Sequence, residues 1–335
     1  SCTGRRSRWG GGGVTGPPAA TAAVRLAVRR CLADLADDAQ VAAAVSGGAD
    51  SLALAAGLAV ERPGSSALVV DHDLQPRSRE VAAAAADRCR RLGLAAEVLP
   101  ETSAVPTRQG VSELQMSSRG GPEAAARALR YRLLDEAADR RGVAAVLLGH
   151  TLDDQAETVL LALARGSGAR SLAGMAPVRG RYRRPLLGLD RVTVRQACAE
   201  AGLQPVDDPH NADAAFARAR VRHDVLPAVE RALGPGVAAA LARTADLLRA
   251  DADALDALTP DLPAEPDCAE LLALPVALRS RALKRWAEAA CGQAVGSAHV
   301  AALRALVEHW RGQGPVALPG GAAVGRTGGR LVARR

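Results

Sequence analysis

The sequence predicts an α/β fold, a parallel-sheet domain followed by a smaller, mostly helical domain. Three observations carry this. Short apolar runs alternate with helical repeats from residue 22 to residue 150. Glycine-rich or polar loops follow the apolar runs, where the ligand loops of a parallel sheet lie. The 335 residues also suffice for two cores at about 150 residues each.

Residues 22–35 (AAVRLAVRRCLADL) read as a helix, 41–51 (VAAAVSGGADS) as a strand entering a tight loop, and 51–60 (SLALAAGLAV) as the next helix. The alternation continues with 66–74 (SALVVDHDL) as strand and loop, 80–93 as helix and 95–100 (AAEVLP) as strand. A helix over 121–142 and a strand over 144–150 follow. Residues 1–20 mix Arg, Gly and Pro and read as a flexible leader, with the first domain over 21–215. A linker is expected at 216–235 and a mostly helical domain over 236–335, with helices at 237–258 and 274–312 and a small hairpin within 313–333.

Composition narrows the class. Hydrophobic residues at 48% and charged residues at 24% describe a globular chain and exclude a disordered one. The six cysteines show no CxxC pair and no zinc spacing, so neither a disulfide scaffold nor a cysteine-rich metal site is expected. The opening SCTGRRSRWGGGG lacks the order of a secretory signal, and no apolar run reads as a membrane span, which points to the cytoplasm. A net charge of +7 suits an anionic partner. Residues 246–270 hold eight acids and one Arg, whereas 279–335 hold ten basic residues and two acids, so the last stretch is the better surface for a polyanion.

The sharpest local signal is AVSGGADS, residues 44–51, between an apolar strand and an apolar helix. Gly47 and Gly48 allow a tight turn and close backbone approach, Ser46 and Ser51 offer hydroxyls, and the helix N-terminus favours phosphate. Asp50 would repel a bare phosphate, which implies compensation by Mg²⁺ or an incoming amine. The loop is neither GxxxxGK[ST] nor GxGxxG. The second signal is LLGHTLDDQAETVLLALARG, residues 147–166. Asp154 and Glu157 are three apart and share one helix face if that helix starts near Asp153, a face able to hold metal or an ammonium group. The plainer alternative is that Asp153 caps the helix and His150 ends a strand. Arg127 and Arg130, also three apart, are placed to reach one phosphate, and VDHDL puts Asp71 and His72 at another strand end.

Taken together, SGGADS (46–51), VDHDL (70–74), EAAARALRY (123–131), GHTLDDQAET (149–158) and RPLL (184–187) resemble the N-type ATP pyrophosphatase fold. Their order is similar to one branch, the bacterial tRNA(Ile)-lysidine synthases, and DDPHNADAAFARARVRHDVLP (207–227), with Asn211, Phe216, Arg218 and Arg222, extends the likeness. The resemblance implies that ATP adenylates the C2 oxygen of the wobble cytidine in an isoleucine tRNA with a CAU anticodon. The ε-amine of free lysine then displaces AMP to give lysidine. It implies catalytic or lysine-binding roles for Asp50, His150, Asp154, Glu157 and Arg218. Nucleotide binding falls by the same likeness to Ser46, Gly47, Gly48, Asp50, Ser51, Asp71, His72, Arg127 and Arg130, with Asp50 next to Mg²⁺. Either Asp154 or Glu157 is left as proton acceptor, and tRNA contacts are expected after residue 228. A homodimer is compatible with this reading.

Three positions depart from the family pattern. Thr151 stands where a second histidine is frequent, Asp73 where glycine is expected and Ala219 where asparagine is common. The alternatives are a tRNA thiolase or amidating enzyme on the same fold, or a nucleotide- or tRNA-binding protein without turnover. The scattered cysteines weigh against the thiolase, and the acidic residues, which would repel polyphosphate, weigh against the silent binder.

Overall fold

The computed structural model describes residues 16–71, 78–100, 121–206 and 215–334, with backbone alone for 121–126. The leader up to residue 15, His72, Asp73 and Asn211 lie outside the described residues. The chain divides into two compact units. The first takes the described residues up to Ser167 and Gly174–Ala245, the second Gly168–Ala173 and the described residues from Asp246 onward.

The first unit is built on six strands: β1 (Gln40–Val45), β2 (Ser66–Asp71), β3 (Ala95–Pro100), β4 (Val143–Leu148), β5 (Val178–Arg179) and β6 (Tyr182–Arg183). They form one sheet in the order β3-β2-β1-β4-β6-β5. All neighbours are parallel except the short β5, which pairs antiparallel with β6. Val41 to Val45 are buried throughout, as expected of a central strand covered on both faces. Side chains alternate across it. Val41, Ala43 and Val45 join one core with Val24 and Val28 of α1 (Ala19–Cys31) and Leu52, Leu54 and Leu58 of α2 (Ala49–Glu61). Cys89 of α3 (Ser78–Arg91) belongs to the same core. Ala42 and Ala44 face the other core, with Leu133, Leu134, Ala137 and Ala138 of α4 (Gly121–Arg140).

The strand order reverses between β1 and β4, and a crevice beyond the carboxyl ends of such strands is where this architecture binds ligands. The two motif loops open there. One leads from β1 into α2, the other from β4 into α5 (Leu152–Ala164). They lie very close. A Cβ on Gly149 would come within 3.1 Å of the Asp50 carbonyl oxygen and 3.2 Å of Ser51 Cα.

After α6 (Ala169–Leu172) and β6, α7 (Arg191–Glu200) returns to the first core through Val194, Ala197 and Cys198. The stretch expected as a linker at 216–235 is helical over most of its length: α8 (Ala217–Arg220), a π-helical turn (Val221–Val225) and α9 (Leu226–Leu233). Pro227 sits in the first turn of α9, where a missing N–H costs least, and the widened turn before it takes up the lost helical bond. Polar residues and a proline made this segment look like a boundary.

In the second unit, α10 (Val237–Leu258), which starts in the first unit, is followed by α11 (Cys268–Ala273), α12 (Val276–Cys291) and α13 (Ser297–Glu308). A three-stranded antiparallel sheet of β7 (Val316–Ala317), β8 (Ala323–Thr327) and β9 (Arg330–Arg334) completes it. Gly328 and Gly329, with φ of 56° and 82°, make the two-residue turn of the β8–β9 hairpin, a conformation that favours glycine. The core gathers Leu271, Leu283, Trp286, Leu303, Leu306 and Val324. Buried Arg279 ties α11 and α13 to α12, its Nε donating to the Leu271 carbonyl, its Nη2 to those of Leu272 and Leu274, and its Nη1 to Glu308. Arg281 pairs with Asp256 at 2.9 Å, Arg285 lies 3.9 Å from Asp261, and Arg330 lies 3.9 Å from Asp267. The opposite charge runs thus partly neutralise one another within the unit. Among the described residues no single helix is long and apolar enough to cross a membrane.

Gly149→Ala is expected to destabilise the first unit by about 1–3 kcal/mol, because the atoms it meets are backbone and yield poorly. ATP affinity should fall with it. Thermal unfolding and ATP titration of the variant check this, and wild-type values in both would contradict the close approach.

Candidate active site

The loop from β1 into α2 closes on itself. The Ser46 N–H donates to Ser51 Oγ at 3.2 Å, and the Ser51 hydroxyl donates to the Gly48 carbonyl at 2.9 Å. Gly47 has φ of 87°, where other residues are strained, and a Cβ there would press on Ala85 Cβ at 3.3 Å. Gly48 is the N-cap of α2 and makes no side-chain cap, which leaves first-turn N–H groups for an anion. Asp50 lies in that first turn. Its Oδ1 is buried without a hydrogen-bond partner. Burial, with Asp154 adding, pushes its carboxyl up to about 6 against the pull of Arg191, Arg195 and Arg222.

The second loop is organised by Thr151, fully buried, rather than by Asp153. The Asp154 N–H donates to Thr151 Oγ1 at 3.5 Å, and Asp154 Oδ2 accepts from the Thr151 N–H at 2.8 Å and hydroxyl at 3.1 Å, a reciprocal cap. Asp153 instead accepts from the Arg191 N–H at 2.7 Å. The helix therefore starts at Leu152, and Asp154 and Glu157 fall on one face, as the spacing predicts.

Both carboxylates are already engaged by arginine. Arg191 Nη2 donates to Asp154 Oδ1 and to Glu157 Oε1, each at 3.0 Å. Arg222 donates from Nε to Glu157 Oε1 at 2.7 Å, and from Nη2 to Asp154 Oδ1 at 2.9 Å and Glu157 Oε2 at 3.0 Å. Arg218 Nε lies 3.2 Å from Glu157 Oε2, and its Nη2 donates to Thr158 Oγ1 at 2.7 Å. Burial alone would raise the Asp154 carboxyl, but Arg191, the Thr151 N–H and Arg218 outweigh it and hold it below the usual range.

His150 closes the other side. Burial pushes its ring down to about 3, with Arg184, Arg130 and Arg127 adding and Asp154 opposing. The ring is neutral at physiological pH, and its Nδ1 is buried without a partner. Arg127 is exposed and braced on Tyr131, its guanidinium carbon 5.3 Å from the ring centroid and its Nη2 3.3 Å from the hydroxyl. Arg130 stands one turn along the same helix, its guanidinium pKa lowered by burial. Asp71 is buried at the end of β2.

A profile of the PP-loop domain matches residues 21–229, and one of the TilS substrate binding domain matches 267–332. The tRNA(Ile)-lysidine synthases of Thermobifida fusca and Streptomyces coelicolor are 49% and 48% identical, over 95% and 96% of this chain and 99% of each relative. The chain belongs to the tRNA(Ile)-lysidine synthase family. A solved structure, the U34-tRNA thiolase NcsA from Methanococcus maripaludis with its [4Fe-4S] cluster, superimposes with a TM-score of 0.57 at 20% identity. It covers 69% of this chain and 80% of its own, and shares the fold.

In this family member the structure brings Asp50, His150, Asp154, Glu157 and Arg218 into one electrostatic neighbourhood. Sequence reasoning missed Arg191, and named Arg222 only as part of a motif. Arg222 follows Arg218 by four, a helical spacing that marks a shared face. No local pattern marks Arg191. Thr151 supplies the cap. Ala219 is buried beside Arg218.

Asp50 titrates higher folded than unfolded, so its ionisation costs stability that is intact below about pH 4 and fully lost above about pH 6. Asp50→Asn should therefore stabilise the ligand-free protein at pH 8 by about 1–3 kcal/mol, with no gain at pH 4. Denaturant melts at the two pH values test this. A variant destabilised at pH 8 would contradict the buried, unpaired carboxylate.

Proposed function

We propose that this chain ligates free lysine to C2 of the wobble cytidine of tRNA(Ile) with a CAU anticodon, consuming ATP and releasing AMP and pyrophosphate. The observation that carries this reading is the convergence, across Gly149, of a phosphate-type loop and a mixed cluster of carboxylates and guanidinium groups. ATP use follows from the PP-loop family, and tRNA(Ile) is the substrate that the relatives' name gives.

A carbonyl oxygen is a poor leaving group. Attack of the base oxygen on the α-phosphate expels pyrophosphate and turns that oxygen into part of AMP. The first-turn N–H groups of α2 with Ser46 and Ser51 receive the polyphosphate, and Arg127 and Arg130 offset charge at the transferred phosphate. The unpartnered Asp50 Oδ1 fits a single protein ligand to Mg²⁺, which would supply charge neutralisation along the polyphosphate. His150, neutral, is available to hydrogen-bond the base without repelling the nearby arginines.

Lysine is a zwitterion with a second amine, and a cluster carrying both signs suits it. Asp154 and Glu157 match ammonium groups, and Arg218 and Arg222, the more exposed guanidinium groups, match the α-carboxylate. Three guanidinium groups facing two carboxylates also favour the neutral ε-amine needed for attack on C2. The amine nitrogen bonds to C2 and gives up a proton to Asp154 or Glu157, the C2–oxygen bond breaks, and AMP leaves with that oxygen. The second unit, which holds the match to the substrate binding domain, is the proposed tRNA-contacting surface.

The test is incorporation of radiolabelled lysine into purified tRNA(Ile) with the CAU anticodon, with ATP and Mg²⁺, against the same tRNA with a changed wobble base. Label that needs ATP, survives mild deacylation and is confined to the cytidine form is the expected result. An active, folded preparation that leaves the tRNA unlabelled would overturn the reading.

A further inference from the structure

Asp154 and Glu157 stand one turn apart on α5, with the Glu157 side chain fully buried. Two like charges so placed repel, and their geometry depends on the cations between them. Arg191 is mounted differently from Arg218 and Arg222. It opens α7, whose Val194, Ala197 and Cys198 are set in the sheet's main core. Its own N–H is fixed to Asp153 at 2.7 Å, and the preceding residues are stapled to α5 by the Leu152 N–H donating to the Leu189 carbonyl at 2.9 Å. From that mount one atom, Nη2, lies 3.0 Å from a carboxylate oxygen of each acid. Arg222, by contrast, comes from a π-helical turn, and Arg218 from the single helical turn before it. Arg191 is also the least exposed of the three, its side chain 15% exposed against 22% and 30%.

We propose that Arg191 is a positioning residue for the amine-transfer half of the reaction, bridging Asp154 and Glu157 so that the arriving amino acid meets a formed site. It acts through the two carboxylates. This rests on the lysine-ligase reading and extends it to a residue outside the sequence motifs that carry the family likeness. The polyphosphate groups of the ATP half stand on α2 and α4, so Arg191 reaches that half only through its electrostatic pull on Asp50.

The experiment measures both halves separately in the full chain with Arg191→Gln and Arg191→Lys. tRNA-dependent ATP–pyrophosphate exchange reports adenylation, and labelled-lysine transfer reports amine attack. Arg191→Gln should raise the KM for lysine by about tenfold or more while exchange stays within about threefold of wild type. Arg191→Lys should fall between, since a point charge restores attraction but not the guanidinium's planar fork. An unchanged lysine KM in Arg191→Gln overturns the proposal. So does a Gln variant that unfolds, or that loses both half-reactions together, since either assigns Arg191 a general structural role. A wild-type enzyme that transfers no lysine would instead sink the ligase reading itself.

Discussion

The close approach of the loop after β4 to the first turn of α2 is the constraint on which the site depends. A side chain at position 149 would press on the backbone of Asp50 and Ser51, and with glycine there Asp50, His150 and Asp154 share one poorly solvated space. In that space each charge feels the others. Asp50 is left with an unpartnered oxygen and a raised pKa, while Asp154, a short distance away, is held ionised by arginine. Two carboxylates beyond the carboxyl ends of neighbouring strands are thereby pushed apart in chemical character by their surroundings, the usual way for a site to divide roles among like groups.

The arginines follow from the same constraint. Burying Asp154 and Glu157 costs desolvation that their mutual repulsion increases, and only cations from elsewhere in the chain relieve it. Arg191 comes from the helix after β6 and Arg218 and Arg222 from the helical segment before α10, so the site draws the end of the first unit back onto its centre. Such clusters add little net stability. Their value here is geometric, because they prepare a surface of alternating sign for a small zwitterion.

Much of the fold was legible because α/β proteins write their layers into local periodicity. Val41 to Val45 and Val143 to Leu148 are continuous apolar runs, and the helices between them carry one apolar face or two. The terminal hairpin was legible from the glycine-rich stretch over 313–333. The tight turn after β1 and the Asp154–Glu157 face were legible from spacing alone. What escaped depended on long-range contacts. Arg191 lies more than thirty residues from the carboxylates it joins, and the Asp190 cap before it marks a helix start but names no partner. The helix through 217–233 escaped because Pro227 and the polar residues before it resemble punctuation, whereas a π-helical turn absorbs the proline. The basic excess after residue 279 overstated the free positive surface, since Arg279, Arg281 and Arg304 are paired with acids inside the second unit.

The central claim is that this cluster of loops transfers the oxygen of a base to AMP and fills its place with an amine. The most direct measurement uses tRNA(Ile) carrying oxygen-18 at C2 of the wobble cytidine, with ATP and lysine, followed by mass spectrometry of the released nucleotide. The account predicts heavy oxygen in AMP in step with lysidine formation. Heavy oxygen retained in the tRNA, or lost to water or pyrophosphate while lysine is incorporated, would contradict it.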